Sequence, residues 1–146
     1  MPNVVFDAST LVGALLKAGS VPERALLLAR ATATICISDA VEAEIRDVFS
    51  RSKFRKYLTP GRVASILAVL TAGAARFHPA LAISDCRDPK DNKYLELALA
   101  AGASTIVASD DDLLVLHPWR GIEIVTPADY VSRFEFLPDQ PGARPT

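Results

Sequence analysis

Four short apolar runs, separated by longer stretches with helical spacing, dominate the hydrophobic pattern of the chain. The runs cover residues 3–6, 33–37, 104–108 and 121–125, and they are β-branched or apolar without strict alternation. Runs of this kind are typical of strands that are buried on both faces of a sheet. The pattern therefore predicts four strands in the interior of a parallel sheet.

The stretches between these runs predict helices, because their apolar residues recur every three or four positions. The second helix begins around Pro22 and is predicted to bury Leu26, Leu27 and Ala29, and Gly102 is predicted to end the fifth. Strands that alternate with helices favour a parallel sheet covered by helices on both faces. The predicted fold is an α/β domain with three α/β/α layers and a central parallel sheet.

The length and composition indicate one ordinary globular domain. The chain has 146 residues, of which 50% are hydrophobic and 23% charged, and its net charge is −1. This composition excludes wholesale disorder and a polybasic nucleic-acid binder. Residues 1–135 are predicted to form the domain, and the Pro- and Gly-containing residues 136–146 a disordered tail.

The compartment is predicted from what the chain contains. Cys36 and Cys86 have no spacing typical of a zinc site or a disulfide framework, which favours reduced thiols. No stretch approaches the roughly 18 consecutive apolar residues of a membrane span, and the N-terminus does not resemble a signal peptide. We therefore expect a cytoplasmic protein with no membrane partner.

Acidic residues follow the predicted strands or begin the helices next to them. Asp7 follows the first strand, Asp110, Asp111 and Asp112 follow the run at 104–108, and Asp91 begins the fifth helix. In addition, the start of the third helix carries two acids, Glu42 and Glu44. Ligands bind outside the carboxyl ends of strands in such sheets. Oxygen ligands without histidine or cysteine suit Mg²⁺ or Mn²⁺, and a site of that kind favours phosphodiester hydrolysis.

Each acid also has a purely structural interpretation. Asp39, Asp88 and Asp91 can cap helices, the three acids at 110–112 can form a solvated turn, and the two glutamates can lie on a solvated helix face. Both histidines of the chain precede a proline and are predicted to lie in turns. The concentration of acids at one edge of the sheet favours the metal site over these alternatives.

Four segments together resemble the PIN domain. They read VVFDASTL at 4–11, EI followed by Val48 at 44–48, DPKDNKYLELA at 88–98 and IVASDDDLL at 106–114. Their order and spacing are more specific than any one of them alone. The resemblance covers about residues 3–134 and is strongest to PIN-domain toxins of type II toxin–antitoxin systems, which are related to VapC-like toxins.

The resemblance implies an endoribonuclease that depends on Mg²⁺ or Mn²⁺, is usually a homodimer, and is held inactive by a cognate antitoxin. The residues that match the family's catalytic and metal-binding acids are Asp7, Glu44, Asp91 and Asp110, with Asp112 as a further metal ligand. Ser9 matches a small polar position that supports Asp7. The family commonly has Thr or Ser where this chain has Ala108, and Ser109 is the candidate substitute in supporting Asp110.

A basic segment follows the third predicted helix. It carries the candidate RNA-binding residues Arg51, Lys53, Arg55 and Lys56, interleaved with two aromatic residues. Such a segment can guide an RNA backbone toward an acidic metal site, or it can be a solvated connection between two helices. The apolar residues between Leu114 and Trp119 are open to a similar choice between core packing and a dimer contact.

Two other functions are weighed against a ribonuclease. An aspartyl-phosphate phosphatase usually has a second acid two residues after its nucleophile, and Ser9 occupies that position here. The remaining alternative is a catalytically silent PIN-like protein that only binds RNA or a partner. Because no histidine is placed as a base for the 2′-hydroxyl, a nuclease of this kind is predicted to leave 5′-phosphate and 3′-hydroxyl ends.

Overall fold

Five parallel strands form the centre of the protein. The structure, a computed structural model, describes residues 1–135, so the predicted tail at 136–146 lies outside the described residues. In chain order the strands are β1 (Asn3–Phe6), β2 (Thr34–Ile37), β3 (Ala75–Arg76), β4 (Thr105–Val107) and β5 (Glu123–Val125). They lie in the order β3-β2-β1-β4-β5, and every pair is parallel.

Helices flank this sheet and complete the predicted three-layer α/β/α architecture. They are α1 (Ala8–Leu16), α2 (Val21–Thr32), α3 (Asp39–Phe49), α4 (Pro60–Thr71), α5 (Asn92–Ala101), α6 (Asp111–Leu114) and α7 (Pro127–Glu135). Two 3₁₀ helices, Ser52–Tyr57 and Pro89–Asp91, connect α3 to α4 and lead into α5. Among residues 1–135, no helix has the length and apolar character needed to cross a membrane.

The order of the strands fixes where a site can form. The chain builds β1, β2 and β3 in one direction across the sheet and then returns to the other side of β1 to add β4 and β5. The loops that leave β1 and β4 therefore diverge, and a crevice opens between them at the carboxyl ends of the two strands. Asp7 and Asp110 both lie at this point of the fold.

The four predicted strands are found within two residues of their predicted ends, and most of their residues are buried. Val5, Ile106 and Val107 have no solvent exposure. The fifth strand, β3, was not predicted, because two residues at the sheet edge present no apolar run. It is recognised only by its pairing, in which Ala75 lies opposite Cys36.

One prediction about α2 is wrong. Leu27 is 47% exposed rather than buried, while Ala25, Leu26 and Ala29 form the inward face of the helix. Each residue advances about 100° around an α-helix, so Leu27 lies about 200° from Ala25 and faces away from the core.

Candidate active site

Four aspartates from two segments of the chain meet at the crevice between β1 and β4. Asp88 and Asp91 come from the segment before α5, and Asp110 and Asp112 come from the N-terminus of α6, shortly after β4. One carboxylate oxygen of each lies within 4.8 Å of those of the other three. We call these residues the aspartate cluster. Like charges this close repel one another, and the Arg87 guanidinium, 2.7 Å from Asp112 Oδ1, offsets only one of them, so the arrangement favours a further cation or a proton.

Local backbone geometry explains how the cluster is assembled. Asp110 caps α6, with its Oδ1 accepting a hydrogen bond from the Asp112 amide at 2.9 Å. Asp88 caps the 3₁₀ helix that ends at Asp91, and its Oδ1 accepts from the Lys90 amide at 3.0 Å. The sequence predicted Asp88 only as a cap, but the same side chain belongs to the cluster. The available signal was its spacing, since residues three apart lie on one side of a 3₁₀ helix.

Asp91 is the most perturbed acid of the cluster. Its Oδ2 atom is buried and has no hydrogen-bond partner among the described residues. Burial raises the pKa of the Asp91 carboxyl to about 7, and the neighbouring Asp110 carboxylate adds to the rise. A buried carboxylate oxygen without a partner, among other carboxylates, is chemically suited to a hard divalent cation. The donors of this site therefore fit Mg²⁺ or Mn²⁺.

Asp7 is placed differently from the four aspartates. It is 2% exposed, and its two oxygens accept three backbone hydrogen bonds. Oδ1 accepts from the Thr10 amide at 2.8 Å, and Oδ2 accepts from the amides of Ser109 and Asp110 at 3.0 and 3.2 Å. Burial raises the pKa of the Asp7 carboxyl, and these hydrogen bonds oppose the rise. Asp7 thus joins the end of β1 to the loop that carries Asp110.

The small polar residues near Asp7 contribute in distinct ways. Ser109 gives its amide to Asp7, and its hydroxyl forms a hydrogen bond with the Thr10 hydroxyl at 2.8 Å. Ala108 is fully buried, so a hydroxyl at that position would have to find its partner in the core. Ser9 is exposed and lines the cavity described below. Thr10, which the sequence did not single out, donates its backbone amide to Asp7, the residue that caps α1.

Glu44 reaches the same region from α3. Its Oε2 accepts a hydrogen bond from Lys93 Nζ at 2.7 Å, and its Oε1 accepts one from the Tyr94 hydroxyl. Glu42, two residues earlier on the helix, instead forms ion pairs with Arg46 and Arg76. The two glutamates therefore have different environments, and Glu44 is the one that faces the acids. Neither Lys93 nor Tyr94 was singled out from the sequence.

A cavity of about 320 Å³ joins the acids to part of the basic segment. Its lining includes the acids Glu44, Asp88, Asp91 and Asp110 together with Arg51, Lys53, Lys90 and Phe54. The lining thus combines acidic and basic side chains, as expected of a site that holds a cation beside an anionic substrate.

The basic segment is the 3₁₀ helix Ser52–Tyr57 together with the preceding Arg51. Arg51 pairs with Asp47 at 3.3 Å, and Lys53 Nζ lies 5.1 Å from the centre of the Phe54 ring. Arg55 and Lys56, which were predicted to bind RNA as well, are exposed but do not line the cavity. Of the four predicted RNA-binding residues, Arg51 and Lys53 therefore line the cavity, and Arg55 and Lys56 lie outside it.

The remaining candidates lie away from the cavity. His78 and His117 do not line it, and His117 Nδ1 accepts a hydrogen bond from the Ile124 amide. Trp119 is 6% exposed and belongs to the core, whereas Val115 is 76% exposed. Of the apolar residues near β5, Trp119 is explained by core packing and Val115 is not.

Comparison with known proteins gives the family. A sequence profile described as PIN domain matches residues 3–112, which is most of the chain. This protein belongs to the PIN-domain family. The match includes Asp7, Glu44 and the whole aspartate cluster, and the resemblance predicted from the sequence is confirmed.

Two further similarities involve individual proteins. The uncharacterized protein MJ1680 of Methanocaldococcus jannaschii is 26% identical over 143 residues, and the alignment covers 91% of this PIN-domain protein and 92% of MJ1680. A chain in the crystal structure of VapBC2 from Rickettsia felis, bound to a DNA fragment from its promoter, superposes with a TM-score of 0.56 at 18% identity. That superposition covers 84% of this chain and 96% of the other, and it supports the fold.

Proposed function

We propose that this PIN-domain protein is an endoribonuclease that depends on Mg²⁺ or Mn²⁺. The observation that carries the proposal is the aspartate cluster, whose Asp91 Oδ2 is buried without a hydrogen-bond partner among residues 1–135. A divalent cation is the ligand that best offsets both the crowded charge and the unpartnered oxygen. Structural capping alone explains Asp88 and Asp110, but it leaves Asp91 unexplained.

The residues proposed to hold the cation are Asp91, Asp110, Asp112 and Asp88, with Asp7 fixing the loop beneath Asp110. When bound, a divalent cation neutralises charge on the phosphate and makes water a better nucleophile. The water gives up a proton to solvent and its oxygen bonds to phosphorus as the bond from phosphorus to the 3′ oxygen breaks, and the 3′ oxygen takes up a proton from solvent. The products carry a 5′-phosphate and a 3′-hydroxyl, and no histidine lines the cavity to favour a cyclic phosphate.

The basic residues that line the cavity support a polyanionic substrate. Arg51, Lys53 and Lys90 can bind phosphates on either side of the bond to be cleaved, because they line the cavity that holds the acids. RNA is proposed as the substrate from the resemblance to ribonuclease toxins. Paired RNA and DNA oligonucleotides of one sequence separate this proposal from a general nuclease, since the 2′-hydroxyl distinguishes them.

We further propose that the protein is the toxin of a type II toxin–antitoxin pair. The resemblance to VapC-like toxins and the structural similarity to a chain of the VapBC2 complex support this role. Its proposed partners are a cognate antitoxin and a second copy of the chain, and its proposed place of action is the cytoplasm. Induced expression should arrest growth, the Asp91→Asn variant should not, and co-expression of the antitoxin should restore growth.

The decisive experiment measures cleavage of a 5′-labelled RNA by purified protein. Wild type should cleave with Mn²⁺ or Mg²⁺ and stop when EDTA is added, and Asp91→Asn and Glu44→Gln should each abolish most of the cleavage. Matched controls are Asp111→Asn, an exposed acid between two members of the cluster, and Glu42→Gln, which is two residues from Glu44. Both controls should cleave nearly as well as wild type.

Two results would contradict the proposal. If wild type binds the RNA but leaves it intact with either metal, the protein is a silent RNA-binding member of the family. If Glu42→Gln is more damaging than Glu44→Gln, the assignment of the acid on α3 is wrong.

A further inference from the structure

Glu44 is held by two side chains that come shortly after Asp91 in the chain. Lys93 Nζ contacts one carboxylate oxygen at 2.7 Å, and the Tyr94 hydroxyl donates to the other. Both oxygens of Glu44 are therefore engaged from the first turn of α5. A carboxylate that is bound at both oxygens has little freedom to rotate, so its orientation toward the cavity is set before any ligand arrives.

Tyr94 is itself fixed at its hydroxyl and along its ring. The residue is 1% exposed, and its hydroxyl accepts a hydrogen bond from the Ala8 amide at 3.1 Å while it donates to Glu44. A phenolic hydroxyl can act as donor and acceptor at once, and here it uses both capacities. Because Ala8 directly follows Asp7, this hydroxyl links the beginning of α1 to Glu44 on α3.

Lys93 supplies the charge that Glu44 needs in a crowded acidic site. The side chains of Lys93 and Glu44 are 21% and 18% exposed, so their ion pair is largely shielded from water. The ammonium group offsets the negative charge of Glu44 beside the aspartate cluster. Its Nζ lies 2.7 Å from Oε2 and so occupies one of the two oxygens that Glu44 could offer to a metal ion. Glu44 lines the cavity but is not a member of the aspartate cluster.

The geometry points to Tyr94 and Lys93 as positioning residues that clamp Glu44, so that its carboxylate serves as a fixed hydrogen-bond acceptor and not as a direct ligand of the metal. This inference rests on the proposed function and narrows it. The aspartate cluster would hold the metal, and Glu44, which lines the same cavity, would orient the attacking water. The segment from Asp91 to Tyr94 thus provides a ligand and the two groups that position a second acid.

The first test is Mn²⁺ binding, measured by calorimetric titration of the purified protein without RNA. Asp91→Asn should weaken the Kd for Mn²⁺ by about tenfold or more, while Glu44→Gln, Tyr94→Phe and Lys93→Met should leave it close to that of wild type. A loss of Mn²⁺ affinity in Glu44→Gln as large as that in Asp91→Asn would make Glu44 a direct ligand and overturn the inference.

The second test is RNA cleavage by the same variants at a temperature where all are folded. Tyr94→Phe and Lys93→Met should each lower kcat by about 10- to 100-fold with little change in KM, and Lys93→Arg should recover part of the loss. The control is Tyr130→Phe on α7, which also removes a hydroxyl from a buried tyrosine and should keep the wild-type kcat. Wild-type kcat in Tyr94→Phe would overturn the inference.

The two tests separate this inference from the proposed function. If wild type cleaves no RNA with either metal, the proposed function fails. The titrations with Mn²⁺ still decide whether Glu44 is a ligand, because they do not depend on cleavage.

Discussion

At the scale of single residues, aspartates of the same chemical type serve opposite purposes in this site. Asp7 has both oxygens occupied by backbone amides, so it acts as a fixed joint between β1 and the loop after β4. Asp91 has a buried oxygen that nothing in residues 1–135 satisfies, so it is suited to a ligand. The sequence places both near the site but cannot distinguish them, because the difference lies in which amides reach each carboxylate.

Replacement of Asp7 by Asn is expected to destabilise the protein. The Asn side chain keeps one acceptor oxygen, but its amide group would face at least one of the three amides that now donate to Asp7. A buried donor without an acceptor costs about 1–3 kcal/mol of unfolding free energy. Urea denaturation of the metal-free protein should show this loss.

The matched variant is Asp91→Asn, which removes a charge from a carboxylate with an unpartnered oxygen and should not lose stability. An Asp7→Asn protein as stable as wild type would show that the three amide contacts contribute little. Because Asp7→Asn combines structural and chemical damage, Asp91→Asn is the cleaner variant for testing catalysis.

At the scale of elements, hydrophobic periodicity predicts the strands and helices whose own sequence carries an apolar pattern. It misses the elements and contacts that depend on residues far away in the chain. The runs that became β1, β2, β4 and β5 were recognisable because each is a continuous apolar stretch between turns. The edge strand β3 has no such stretch, and its pairing depends on the residues across from it. Asp110 could be located from the end of its strand. The contacts of Lys93 and Tyr94 with Glu44 span 49 and 50 positions of the chain, so no local sequence pattern predicts them.

The basic segment gives a prediction at this scale, because only part of it faces the cavity. Replacing Arg51 and Lys53 together by Ala should weaken RNA binding more than replacing Arg55 and Lys56 together. Each phosphate contact that is lost should reduce the slope of log K against log salt by about 0.7 for a single strand. Fluorescence anisotropy with labelled RNA between low and moderate salt measures both quantities.

The double variant of Arg55 and Lys56 is the matched control, since it removes the same number of charges from the same basic segment. Equal slopes for the two double variants would mean that the cavity does not select among these residues. If neither double variant changes the slope, the basic segment does not contact RNA phosphates and is only a solvated connection between α3 and α4.

At the scale of the whole molecule, the site weakens the fold that contains it. The pKa of Asp91 is about 7 in the folded protein, above its ordinary value of 3.8. A raised carboxyl pKa means that folding disfavours the ionised form, so Asp91 costs stability as the pH rises from about 4 toward about 7. The metal-free protein should therefore unfold at lower temperature at pH 8 than at pH 5, and Asp91→Asn should flatten this dependence.

Addition of metal should reverse the effect at high pH. A cation that binds only the folded state stabilises it by RT ln(1 + [L]/Kd), which is about 2.7 kcal/mol at a hundredfold excess over Kd. Melting curves of wild type and Asp91→Asn, with EDTA and with Mn²⁺ at pH 8, test both expectations in one series. If millimolar Mn²⁺ leaves the wild-type melting temperature unchanged, the aspartate cluster does not bind the proposed metal ion.

The position of the crevice between β1 and β4 also governs when the site can exist. Asp7 and the Ser109 amide that it binds are separated by 102 positions, and β4 must insert beside β1 before that contact forms. Contacts of such high sequence separation form late, because the entropy of closing the intervening chain must be overcome first. During synthesis, Asp7 therefore leaves the ribosome long before Ser109 and Asp110 are available to complete the site around it. The topology delays the onset of any nuclease activity until synthesis of the domain is nearly complete.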